Sequence, residues 1–126
     1  MNGTADPLLP YGGGAMGRGG GERGSVRSTD ASIEAWRRLG GFDAPGGTRS
    51  LPDRDTMDDS RVTVTQYPAT GPARLMLYRI DGGGHSEPSR TERYARWYQR
   101  LTGPQNGDME SAEEIWRFFA QQRATP

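Results

Sequence analysis

The sequence predicts an α/β fold, and three observations carry that expectation. Residues 62–67 concentrate β-branched side chains (Val62, Thr63, Val64, Thr65), the composition of a strand. Residues 74–80 carry Met76, Tyr78 and Ile80 on one face and Leu75 and Leu77 on the other, the pattern of a strand covered on both sides. Residues 30–39 and 112–122 show apolar residues at helical spacing, bounded by capping residues.

In chain order, residues 1–14 (MNGTADPLLPYGGG) have the turn chemistry of a loop in Asn2-Gly3, Asp6-Pro7 and Pro10, with nothing before them to act as a strand. The glycine-rich stretch 12–24 predicts a flexible loop. A helix over 30–39 follows. Ser28 or Thr29 caps it, Asp30 suits its positive end, and Ile33, Trp36 and Leu39 form its apolar stripe. Arg37 and Arg38 suit its negative end, and Gly40-Gly41 stops it. Residues 42–60, rich in Pro, Gly and Asp, predict one long loop. The two strands come next, joined by a turn over 68–72, and the second runs into Asp81-Gly82-Gly83-Gly84-His85. A short helix is expected over 94–101. The last helix, over 112–122, starts from the S-x-x-E spacing of a capping box at Ser111 and Glu114. Its face is Ile115, Phe118 and Phe119, widened by Trp116.

At 126 residues the chain is one domain or a piece of one. Only 32% of it is hydrophobic, while 19 residues are Gly, so the expected core is thin. Sixteen basic residues, all Arg, balance sixteen acidic ones, which removes any net electrostatic pull towards nucleic acid or anionic lipid. The absence of cysteine excludes disulfides and thiolate metal sites and leaves the redox compartment open. No apolar run approaches the roughly 20 residues needed to span a membrane. No signal peptide is visible at the N-terminus.

His85 is the only histidine, and it follows a strand and three glycines. Histidine shuttles protons near neutral pH, and a glycine run lets a substrate come close to the backbone. A surface-loop histidine without a role fits the same residues. Asp6, before Pro7, suits a carboxylate that accepts the second imidazole N–H and holds the ring in one tautomer. Taken alone, it reads more readily as an ordinary Asp-Pro turn.

The pieces taken together resemble a known family. MNGTADPLLPYGGG is similar to the acid-bearing loop of the polyhydroxybutyrate depolymerase and feruloyl esterase-like α/β-hydrolases, a G-T-x-D-x-x-x-P-Y-like sequence. The helix with Trp36, the strand LMLYRI with GGGHSEP, and the terminal AEEIWRFF resemble later segments of that family in the right order. The resemblance implies the C-terminal part of an α/β-hydrolase fold, with an incomplete sheet and flanking helices. It implies Asp6 as the triad acid and His85 as the triad base of a carboxylic-ester hydrolase, with no cofactor. The implied substrates are polyhydroxyalkanoates or aryl and acyl sugar esters, and the implied location is extracellular.

Two departures stand out. Glu87 occupies a place where many relatives carry an aromatic residue, and no serine sits in the G-x-S-x-G setting of a hydrolase nucleophile. Ser25 lies between Arg23 and Arg27, and Ser86 between Gly84 and Pro88. The chain alone is therefore expected to be inactive, with the nucleophile coming from an upstream half of the fold or an oligomeric partner. The alternative is a noncatalytic remnant or interaction module.

Other chemistry is weaker. His85 with Asp81 and Glu87 makes a poor metal site. Arg18-Gly19-Gly20 and Arg23-Gly24 fall short of an RNA-binding tail. Trp116, Phe118 and Phe119 are expected in the core, and Arg90, Arg93, Arg96 and Arg100 on a solvated helix face.

Overall fold

The structure is a computed structural model that describes residues 1–18, 23–42, 45–67 and 74–122. Its centre is a four-stranded mixed sheet in the order β1-β6-β5-β4. The strands are β1 (Asn2–Gly3), β4 (Thr48–Ser50), β5 (Arg61–Tyr67) and β6 (Leu75–Asp81). β6 pairs antiparallel with β5 and parallel with β1, and β4 pairs antiparallel with β5. A separate small ribbon joins β2 (Gly14–Ala15) to β3 (Ser25–Val26), and the helices are α1 (Thr29–Gly40), α2 (Arg96–Thr102) and α3 (Ser111–Ala120). The molecule thus has the mixed helix and sheet content of an α/β protein.

β5 and β6 form because their side chains alternate in step. Register sets Val62 opposite Ile80, Val64 opposite Tyr78 and Gln66 opposite Met76. That face makes the core, with Val62, Val64, Tyr78, Ile80 and Met109 buried and Leu51 and Met76 packed against them. α3 lies on this side, where the Tyr78 hydroxyl donates to Glu114 at 2.8 Å. α1 lies on the other side. Arg79 stacks there on the Tyr11 ring, whose hydroxyl reaches Asp30 of α1. Helices on both faces explain why β6 is apolar in both directions.

α1 starts where expected, the Ser28 hydroxyl accepting from the Ala31 N–H at 3.1 Å. It ends at Gly41 in the left-handed conformation, whose N–H bonds back to the last turn. Glu34 takes Arg37 and Arg38 on its outer side, and those hydrogen bonds hold its carboxyl down at about 2.

Several expectations need correction. Residues 2–3 form an edge strand, because the free carbonyls and N–H groups of β6 recruit them. The flanks of the 12–24 stretch pair as β2 and β3, and residues 19–22 lie outside the described residues, as does the turn over 68–72. The 42–60 loop contains β4, although residues 43–44 also lie outside the description. The capping box at α3 does not form. Glu110 stands at the N-cap without a side-chain bond, since its carboxylate accepts from the Ser89 hydroxyl and the Arg90 and Thr91 N–H groups. Glu114 is taken by Tyr78 and Arg117 instead.

Arg90 and Arg93 precede α2 rather than lining it. Arg93 bonds to the Ser89 and Gln105 carbonyls and to Asp55, so it ties a loop together. The α3 aromatics are not core either. Trp116 is 73% exposed and Phe119 62%, and on α1 Trp36 is 63% exposed. Both helices turn part of their apolar surface outward.

Burial first, then the Glu114 bond, pushes the Tyr78 phenol up to about 12. The fold therefore prefers the neutral phenol. This contribution to stability is complete below the ordinary tyrosine value of about 10 and is lost as pH rises from there through about 12. Tyr78→Phe is expected to cost about 1 kcal/mol near neutral pH. It should also flatten the alkaline loss of stability relative to wild type. Denaturant melts across that range check it, and parallel curves for the two proteins would contradict it.

Candidate functional site

The parallel pairing of β1 with β6 builds the site. Asn2 lies opposite Arg79 and Gly3 opposite Ile80, so both strands end at the same edge of the sheet and their following loops run side by side. The Thr4 N–H donates to the Ile80 carbonyl and the Ala5 N–H to the Gly83 carbonyl, each at 2.9 Å. The Thr4 hydroxyl accepts from the Gly82 N–H at 2.9 Å. These bonds zip the acid loop to the histidine loop.

At the end of this zipper His85 Nδ1 lies 2.8 Å from Asp6 Oδ2, across 79 residues of sequence. An ionised carboxylate only accepts, so the proton sits on Nδ1 and the bond holds the ring in that tautomer. The other carboxylate oxygen, Oδ1, accepts from the Leu8 N–H at 2.8 Å and the Leu9 N–H at 2.9 Å. That turn, started by Pro7, orients the acid, whose side chain is 8% exposed against 39% for His85. Nε2 of His85 has no hydrogen-bond partner among the described residues. The ring and Asp6 line an open cavity of about 420 Å³, with Leu9, Ile80, Pro88 and Ile115 on its walls.

The backbone behind the ring is anchored to α2. The His85 N–H donates to the Thr102 carbonyl and the Gly84 N–H to the Pro104 carbonyl, each at 2.6 Å. The Ser86 hydroxyl lies 3.2 Å from that of Thr102 and is buried, so it is not presented as a nucleophile. Thr4 and Thr102 were not foreseen from sequence. Thr4 had a local signal in its place two residues before the acid, whereas Thr102 had none. Gln105 and Asn106 are each 1% exposed and were also unforeseen; they hold the surrounding loops. Asn106 donates to Ser60 and Asp108, and Asp108 accepts from the Arg54 and Asp55 N–H groups.

Of the weaker candidates, Asp81 pairs with Arg79 rather than with His85. Among the described residues no group of three potential metal-ligating side chains comes together, and no helix is long and apolar enough to cross a membrane. Comparison with known proteins finds no matching family model, no matching curated protein and no matching solved structure.

Proposed function

We propose that this chain supplies the acid and the base of a carboxylic-ester hydrolase, as the C-terminal portion of an α/β-hydrolase resembling the polyhydroxybutyrate depolymerases and feruloyl esterases. One observation carries the reading. A carboxylate oriented by two backbone N–H groups grips Nδ1 of His85 and leaves Nε2 free on an open cavity. This is the division of labour a triad requires. His85 Nε2 takes the proton of an attacking serine as the hydroxyl oxygen bonds to the ester carbonyl carbon. It then returns that proton to the departing alcohol. Asp6 keeps the ring in its tautomer and stabilises the imidazolium.

The serine and the oxyanion donors come from outside these residues. The place for them is the free edge of β1. Three cavities lined by Met1, Asn2 or both lie there, bordered by Ile33 and Trp36 of α1 and by Ile115 and Phe119 of α3. A parallel strand seated on that edge, with helices covering both faces, would bring a strand-to-helix elbow to the His85 end of the sheet. The same apolar faces support the second reading, a noncatalytic interaction module, in which nothing depends on His85.

The test is reconstitution. Alone, the chain is expected to give no triad-type turnover of a p-nitrophenyl short-chain ester, because the base and acid have nothing to activate. Mixed or fused with the front half of a related hydrolase that carries G-x-S-x-G, it is expected to hydrolyse that ester. Assembly is followed by sedimentation. An assembled pair that remains inert counts against the esterase reading and leaves the interaction module.

A further inference from the structure

A second cavity of about 420 Å³ adjoins the one that holds His85, and Glu87 and Ser111 line both. Its other walls include Glu92, Tyr94 and Glu110. Ser111 opens α3 and is only 9% exposed, yet its hydroxyl makes no hydrogen bond with any described residue. Among the described residues no fully enclosed side-chain nitrogen or oxygen lacks a partner, so this hydroxyl is not enclosed: it faces the space of the two cavities. Buried polar groups are nearly always satisfied, and the partner of this one must come from outside the chain.

Glu87 and Glu92 give the second cavity its charge. Glu87 Oε1 accepts from the Tyr94 hydroxyl at 2.8 Å, whereas its Oε2 and the whole Glu92 carboxylate take no hydrogen bond or ion pair from any described residue. Glu110 is different, because the Ser89 hydroxyl and the Arg90 and Thr91 N–H groups already donate to it and the Arg90 guanidinium stands 4.0 Å away. Arg93, the cation on this wall, is turned to Asp55 at 3.1 Å and to the Ser89 and Gln105 carbonyls. The positive end of α3 is offset by Glu110 at its N-cap and Glu113 in its first turn. The wall is therefore net negative, which gathers cations and repels anions.

The backbone of this wall is held from beneath. Gln105, almost wholly buried, donates through Nε2 to the carbonyls of Glu87 and Glu92, each at 3.0 Å. Its Oε1 accepts from the Tyr94 N–H at 2.9 Å. One buried amide thus fixes the three residues that present two carboxylates and an aromatic ring. Their spacing is set before any ligand arrives, which lowers the entropy lost on binding.

We propose that the second cavity is a subsite for a primary ammonium group: Glu87 and Glu92 meet its charge, the Ser111 hydroxyl oxygen accepts one of its N–H bonds, and the Tyr94 ring stands beside it. A primary ammonium carries three N–H donors and no acceptor, the complement of two carboxylates and a hydroxyl oxygen. An aromatic ring suits it too, through cation–π attraction. A neutral alcohol would satisfy the hydroxyl but leave both charges unmet, and a carboxylate would be repelled. A metal ion fits less well, since no three ligating side chains converge among the described residues. Beside His85, such a subsite selects an ester whose chain carries an amine. That selection rests on the esterase reading, but ammonium binding does not.

The experiment is an NMR titration of the full chain, at neutral pH and constant ionic strength, with n-butylammonium and separately with n-butanol, butyrate and calcium ion. Butylammonium is expected to shift the Glu87 and Ser111 backbone N–H signals saturably, with a Kd on the order of 10 mM. Glu87→Gln, Glu92→Gln and Ser111→Ala are each expected to weaken it about threefold or more. Glu113→Gln is the control, because Glu113 pairs with Arg117 and lines neither cavity. Glu87 and Glu92 are exposed and the Ser111 hydroxyl bonds to nothing in the chain, so the variants should fold, and their amide spectra check this. No saturable shift, equal affinity in the Glu87 and Ser111 variants, or butanol or butyrate binding as tightly would each overturn the proposal. Calcium binding at these residues more tightly than the amine would overturn it in favour of a metal site. A chain that binds butylammonium yet fails every reconstitution with a front half keeps the subsite and loses the esterase. A reconstituted esterase whose second cavity ignores butylammonium does the reverse.

Discussion

In the reconstituted enzyme, His85→Ala is expected to lower the ester-hydrolysis rate by several orders of magnitude, and Asp6→Asn by about 10⁴-fold. The reasons differ. Alanine removes the only histidine in the chain, and with it the group that would carry the proton between nucleophile and leaving alcohol. Asparagine keeps the shape of Asp6 but presents an amide to Nδ1. If its NH₂ faces the ring, it favours the tautomer with the proton on Nε2, where it blocks the base. The loss should appear in kcat more than in KM, because the lost interactions belong to the transition state. Combining the two changes should cost little more than His85→Ala alone, since the acid acts only through the base. The measurement is the initial rate on a p-nitrophenyl short-chain ester for wild type, both single variants and the double variant. Full activity in His85→Ala would end the assignment.

Gly84→Ala is expected to have a large effect on stability. A Cβ at this position would lie 2.4 Å from the Thr102 carbonyl oxygen and 2.5 Å from the carbonyl carbon of Gly103, all of it backbone. No side chain can swing aside to relieve such contacts. The histidine loop and the end of α2 must separate, and the 2.6 Å bonds from Gly84 to Pro104 and from His85 to Thr102 lengthen or break. A cost of roughly 3 kcal/mol or more follows from overpacking plus lost hydrogen bonds. For a chain of this size that corresponds to a fall in Tm on the order of 10 °C. Moving the loop also moves the imidazole, and a shift of about 1 Å is enough to cost about 10²-fold in rate. Gly12→Ala is the control, because nothing lies within 4 Å of its added Cβ. A Gly84→Ala melt that overlays the wild-type curve would mean that the loop and α2 do not meet in solution.

The elements visible in the sequence were those whose signal is local. The β-branched run at residues 62–67 and the doubly apolar run at 74–80 became β5 and β6 within a residue. Ser28 and Gly41 mark the ends of α1, because a cap is a contact between residues a few positions apart. The capping box of α3 failed although its spacing was correct. Tyr78, 36 residues away, claimed Glu114, and the 89–91 loop claimed Glu110. Partners brought in by the tertiary fold thus replaced the local capping bonds.

The sequence by itself determined which side chains could do chemistry. One histidine, an aspartate before a proline, no cysteine and no serine in an elbow setting left Asp6 and His85 as the candidate pair. Only the tertiary structure decided that Asp6 and His85 meet. That depends on two residues, Asn2 and Gly3, pairing parallel with β6 so that two distant loops leave the sheet at one edge. Such pairing leaves no local pattern, because its energy lies in backbone bonds that any residue can make. The same holds for the outward faces of α1 and α3. Their apolar spacing was legible, but whether Trp36, Trp116 and Phe119 are covered depends on what stands beside them in space, and the described residues leave most of each exposed.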